Sequence, residues 1–109
     1  MVLTFNNIRL DNEQKKALQF ALNDVQAEVY LFGSRTDLKK RGGDVDVFVL
    51  TDIDSHEAYN LSLQLTNKYQ QICDERIDVI VLPPIEKMEY KNFIFFNSTN
   101  KVCLTTLFN

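Results

Sequence analysis

Leu31-Phe32-Gly33-Ser34-Arg35, followed across a polar loop by Asp44-Val45-Asp46, is the stretch on which the reading of this chain turns. Glu28 to Phe32 reads as a strand that ends in a small-residue turn. The backbone N–H groups and hydroxyl of Gly33 and Ser34 suit a phosphate there. Asp44 to Leu50 reads as a second strand, rich in Val and Phe. Side chains alternate along a strand, so Asp44 and Asp46 share one face, with Cα atoms roughly 6.5–7 Å apart. Carboxylates so placed can lean in on two divalent ions ~3.5–4 Å apart, the spacing used for displacement at phosphorus.

A third acid lies in Arg76-Ile77-Asp78-Val79-Ile80-Val81-Leu82, a strand-like run stopped by Pro83-Pro84. Asp44 and Asp46 share their face with Phe48 and Leu50, and Asp78 shares its own with Ile80 and Leu82. Two central strands that open with acid and continue with core residues predict a carboxylate cluster at one end of a covered sheet. Clustered carboxylates raise one another's proton affinity, and something positive should sit beside them.

Helices fill the intervals. Asp11 and Gln14 form a capping-box pattern ahead of Ala17, Leu18, Ala21, Leu22 and Val25 at helical spacing. Asp54 and Glu57 repeat the pattern for a helix to about Cys73, with a core stripe of Ala58, Leu61, Leu65, Tyr69 and Ile72. A third helix is expected from Ile85 through Phe95. Residues 35–43 form a polar loop or short helical turn, and Lys101–Thr106 reads as a further strand. The expected fold class is α/β (α+β), a β-sheet packed with helices in a single domain over residues 1–109.

Composition narrows the function. A hydrophobic content of 45% and a net charge of -3 fit an ordinary globular chain and speak against wrapping nucleic acid. No run approaches the length of a membrane span, and Met1–Asn7 lacks a signal peptide's basic start and apolar stretch. The expected location is therefore cytoplasmic, with Cys73 and Cys103 as reduced, buried thiols. Hard oxygen ligands suit Mg²⁺ or Mn²⁺ at Asp44, Asp46 and Asp78, and no His/Cys cluster competes. Asp78 is also placed to accept the proton of an attacking hydroxyl. Arg35, Lys39, Lys40 and Arg41 gather positive charge nearby, with Arg35 best placed for a phosphate. His56 has no partner set and reads as surface. Phe93-Ile94-Phe95-Phe96 cannot all face inward on one helix, which calls for a homo-oligomer or a partner.

Leu31–Arg35, Gly42-Gly43-Asp44-Val45-Asp46-Val47 and Ile77-Asp78-Val79 together resemble the minimal nucleotidyltransferases of the DNA polymerase β superfamily, over roughly residues 10–82. The resemblance implies a mixed sheet, an ATP or other nucleotide triphosphate held at Gly33, Ser34 and Arg35, and two Mg²⁺ ions. Asp44, Asp46 and Asp78 would be the metal ligands and the catalytic acids, with Asp78 activating the acceptor hydroxyl. Minimal members are encoded beside a helical HEPN protein and act as its antitoxins, some by moving AMP from ATP to a tyrosine of the partner. The chain is thus expected to be a Mg²⁺-dependent transferase, with a non-catalytic nucleotide-binding antitoxin module that neutralises its partner by contact as the alternative. A sugar-nucleotide transferase or a DxD-type phosphatase fits less well, since Gly42-Gly43 stands where the phosphatase wants an apolar strand.

Overall fold

Glycine and proline set the strand limits seen in the computed structural model, which describes residues 8–104. Strand β1 (Glu28–Phe32) stops at Gly33, β2 (Val45–Leu50) starts beyond Gly42-Gly43, and β3 (Ile77–Leu82) ends at Pro83-Pro84. A short strand, β4 (Lys101–Cys103), follows the last helix. Thr105 and Thr106 of the expected fourth strand lie outside the described residues. The sheet order is β3-β2-β1-β4. β2 runs antiparallel to β1 and parallel to β3, and β1 runs antiparallel to β4, so the sheet is mixed as expected.

Three helices connect and cover it. The first, α1 (Asn12–Leu22), opens on a complete capping box between Asp11 and Gln14. Helix α2 (Ser55–Gln70) has half of one: Asp54 accepts from Glu57 N–H at 2.8 Å, with no return bond among the described residues. A cap of this kind contributes about 1 kcal/mol. Ala17, Leu18 and Ala21 of α1 and Leu65 and Tyr69 of α2 pack on Val29, Leu31, Val45, Val47, Val49 and Ile77. The other face holds Phe48, Leu50 and Leu82 under Phe96 of the third helix, α3 (Tyr90–Ser98). Alternation thus sorts β2 as read: valines to one layer, Phe48 and Leu50 to the other.

Three expectations need correction. β3 is an edge strand, not a central one, and its middle residues are only half-buried. The third helix begins at Tyr90, because Ile85–Lys87 form a separate 3₁₀ turn after the two prolines. Ile72 is exposed, since α2 ends at Gln70 and helical periodicity no longer applies beyond it. Cys73 is buried, Cys103 half-buried, and neither is in a disulfide. His56 is on the surface, as read. In the aromatic run Phe96 is buried while Ile94 and Phe95 are exposed, so one side does face outward.

Candidate active site

Parallel pairing of β2 with β3 sets Asp46 directly against Asp78, and antiparallel pairing sets Asp46 against Phe32. Phe32 in turn lies opposite Lys101. One row, Asp78–Asp46–Phe32–Lys101, therefore crosses the sheet at the end where the Gly33 turn begins. Phe32 stacks on Phe48 with ring centroids 3.9 Å apart, which floors the site with apolar surface. Lys101 turns its ammonium away to Phe96 O (2.8 Å) and the Phe96 ring.

Asp46 is half-buried and surrounded by like charge. Burial first, then the charge and hydrogen bond of Asp78, then the charge of Asp44, push its carboxyl up to about 6, against a smaller downward pull from Arg76. Arg76 is the positive group that the acids require. Its Nε lies 3.6 Å from Asp44 Oδ2 and its Nη2 3.4 Å from Asp78 Oδ1. Asp46 and Asp78 are thus brought together, whereas the exposed Asp44 joins them through Arg76. Among the described residues no three His, Cys, Asp or Glu side chains already converge as a metal cage. The donors are nevertheless all carboxylate oxygens, one of them with raised proton affinity. That set fits a hard divalent cation, which would take over the neutralising part of Arg76.

Glycine lets the turn approach the acids. Gly33 has φ +79, and a Cβ there would stand 2.8 Å from Asp46 Oδ2. Gly43 has φ +86, and its Cβ would collide with Ser34 Oγ. Both positions need the missing side chain as well as the positive φ. Gly33–Thr36 form a 3₁₀ turn, closed by Thr36 Oγ1 donating to Gly33 O at 2.7 Å. Arg35 points its guanidinium at Gly43 O (3.1 Å) and Arg9 O (3.0 Å). Lys39, Lys40 and Arg41 are exposed on the loop beyond.

Three further residues shape the site, one of which, Gln14, is also the capping-box partner read in the sequence. Arg9 donates to the carbonyls of Asp37 (2.7 Å), Ser34 (2.9 Å) and Gly42 (2.9 Å), stitching both ends of the loop. It belongs to no motif, and nothing in the sequence marks it. Gln14 is 1% exposed, and its Nε2 donates to Glu75 Oε2 at 2.7 Å. Its Oε1 accepts from Asp11 N–H and, at 3.4 Å, from Arg35, so α1, the loop and the approach to β3 meet on one amide. Arg76 was legible: it stands two before Asp78 and so shares its face.

The cleft lined by Asp24, Val25, Thr51, Glu57, Asn60 and Lys68 has a volume of about 430 Å³ and lies at the opposite end of β2 from the acids. It takes no part in this constellation. No helix among the described residues is long and apolar enough to cross a membrane.

Comparison with known proteins gives the chemistry a family. No curated protein sequence matches the chain. A crystal structure described as that of a candidate nucleotidyltransferase is similar at 22% identity and a TM-score of 0.48, covering 86% of this chain and 99% of that one. The family model described as nucleotidyltransferase domain matches residues 11–102, which include the Gly33 turn and all three aspartates. The chain belongs to the nucleotidyltransferase domain family.

Proposed function

We propose that the chain transfers a nucleotidyl group, AMP from ATP, to a hydroxyl on a partner protein, with Asp44, Asp46 and Asp78 as metal ligands. The observation that carries this reading is the pairing of Asp46 with Asp78 beside the glycine turn. Two Mg²⁺ ions, when bound, would neutralise the phosphate oxygens and the charge that develops on them. Gly33 and Ser34 would take the outer phosphates through backbone N–H groups and the Ser34 hydroxyl, with Arg35 adding charge while it braces the turn. Asp78, on the outer strand, would accept the proton of the acceptor hydroxyl. The acceptor oxygen then bonds to the α-phosphorus as the bond to pyrophosphate breaks.

The partner is proposed to be a helical HEPN-type protein, with this chain as its antitoxin and as one minimal domain over residues 1–109. Exposed Tyr90, Ile94 and Phe95 on α3 support a protein surface near the site. The test is incubation with Mg²⁺, α-labelled ATP and lysate from the source cell, beside Asp44→Asn/Asp46→Asn. A labelled protein band made by the native chain and not by the variant supports transfer. Equal labelling by both refutes the assignment, and a variant that still neutralises its partner unlabelled points to contact alone.

A further inference from the structure

We propose that the open edge of β3 binds an extended, non-helical segment of the acceptor protein as an added β-strand, an inference that rests on the transfer reading above. Thr51 N–H donates to Leu82 O at 2.9 Å, so Leu82 turns its backbone groups toward β2. Alternation turns Ile80 and Asp78 the same way and leaves the N–H and C=O of Val79 and Val81 facing outward. Among the described residues no strand pairs with that side and no hydrogen bond reaches those groups.

Edge strands are usually blunted by lysine, proline, a bulge or brevity. β3 runs six residues, Ile77-Asp78-Val79-Ile80-Val81-Leu82, in unbroken register without lysine, proline or bulge, and its one charged residue is Asp78 at the site end. β4 at the opposite edge has three residues. A half-buried apolar edge with unused donors and acceptors selects an extended peptide by main-chain hydrogen bonds.

Position makes this edge more than a sticky one. A residue paired beside Asp78 extends the row Asp78–Asp46–Phe32 by one strand, roughly 4.8 Å further out. Its Cβ would lie about 5 Å from that of Asp78, within reach of the carboxylate for a hydroxyl side chain. The order across the sheet is then acceptor hydroxyl, Asp78, Asp46, and the Gly33 turn that follows Phe32. Acceptor and triphosphate would then reach the acids from opposite sides, which leaves room for the hydroxyl and the departing pyrophosphate to lie on opposite sides of the α-phosphorus. The proton leaves to Asp78, the new bond joins the hydroxyl oxygen to the α-phosphorus, and pyrophosphate departs.

Amide hydrogen exchange read by NMR tests the edge directly. The probe is a synthetic peptide of alternating valine and serine, with a backbone N-methylated copy as control. In the free protein, Val79 and Val81 amides are expected to exchange at least about tenfold faster than those of Ile80 and Leu82. Saturating peptide should slow Val79 and Val81, and the N-methylated copy should not. Val81→Pro removes an outward N–H that β2 does not use, and should weaken peptide binding about fivefold to tenfold. Protection already present in the free chain, or growing with protein concentration, would overturn the proposal, because the chain itself or a second copy then holds the edge. No protection at saturating peptide would overturn it as well. Labelled ATP in the same samples separates the two readings: protection without label removes transfer and keeps the docking edge, and label without protection does the reverse.

Discussion

Replacing Gly33 with alanine probes how closely the phosphate turn and the acids are fitted. Gly33 and Gly42 both hold positive φ, but a Cβ at Gly42 meets nothing within 4 Å, whereas at Gly33 it stands 2.8 Å from Asp46 Oδ2. The backbone penalty is shared, about 1–2 kcal/mol for an L-residue, partly offset by the lower entropy of the unfolded chain. Gly42→Ala should therefore cost about 1 kcal/mol. Gly33→Ala must also push the Asp46 carboxylate off its rotamer, for about 1 kcal/mol more. Urea denaturation gives both values, and the thermal midpoint should fall about 4–8 °C for each kcal/mol. In an Asp46→Ala background the second contribution disappears, so the double-mutant cycle should show about 1 kcal/mol of coupling. Equal losses at Gly33 and Gly42 with no coupling to Asp46 would refute the close packing of turn on acid.

Asp46→Asn should change how stability varies with pH. The folded pKa of Asp46, about 6, lies above its unfolded value, so its contribution is fully present below about pH 4 and is lost as pH rises through 6. For a half-exposed group screening reduces the effect to about 1 kcal/mol. The Asn variant should be more stable than the native chain at pH 8 by that amount and equal to it near pH 4, by thermal melts in chelator. Arg76→Gln removes the cation that pairs with Asp44 and Asp78, so Mg²⁺ should bind more tightly by calorimetry, and an unchanged or weaker affinity would count against competition. Tyr69 buries its hydroxyl against the Cys73 thiol, with no hydrogen-bond partner of good geometry among the described residues. Tyr69→Phe should raise stability by about 1 kcal/mol, and a loss on denaturation would show that the hydroxyl is satisfied.

What the sequence revealed divides along physical lines. Strand limits were legible because glycine and proline act locally: β1 ends at Phe32 before Gly33, and β3 at Leu82 before Pro83. The facing of Asp46 and Asp78 followed from alternation together with the family resemblance. Strand order was hidden, because both faces of an edge strand can be apolar when helices cover one side and α3 part of the other. The start of α3 was hidden because Glu89 offers no side-chain cap bond to mark it. Arg9 acts through carbonyls 25 to 33 positions away, which no local pattern encodes.

The most direct test that these acids form a metal–nucleotide site is ATP binding by calorimetry, with and without Mg²⁺, for the native chain and Asp44→Asn/Asp46→Asn. Metal-dependent binding by the native chain, lost in a variant that melts at least as high, is the expected result. Binding that ignores both the metal and the two aspartates would contradict it.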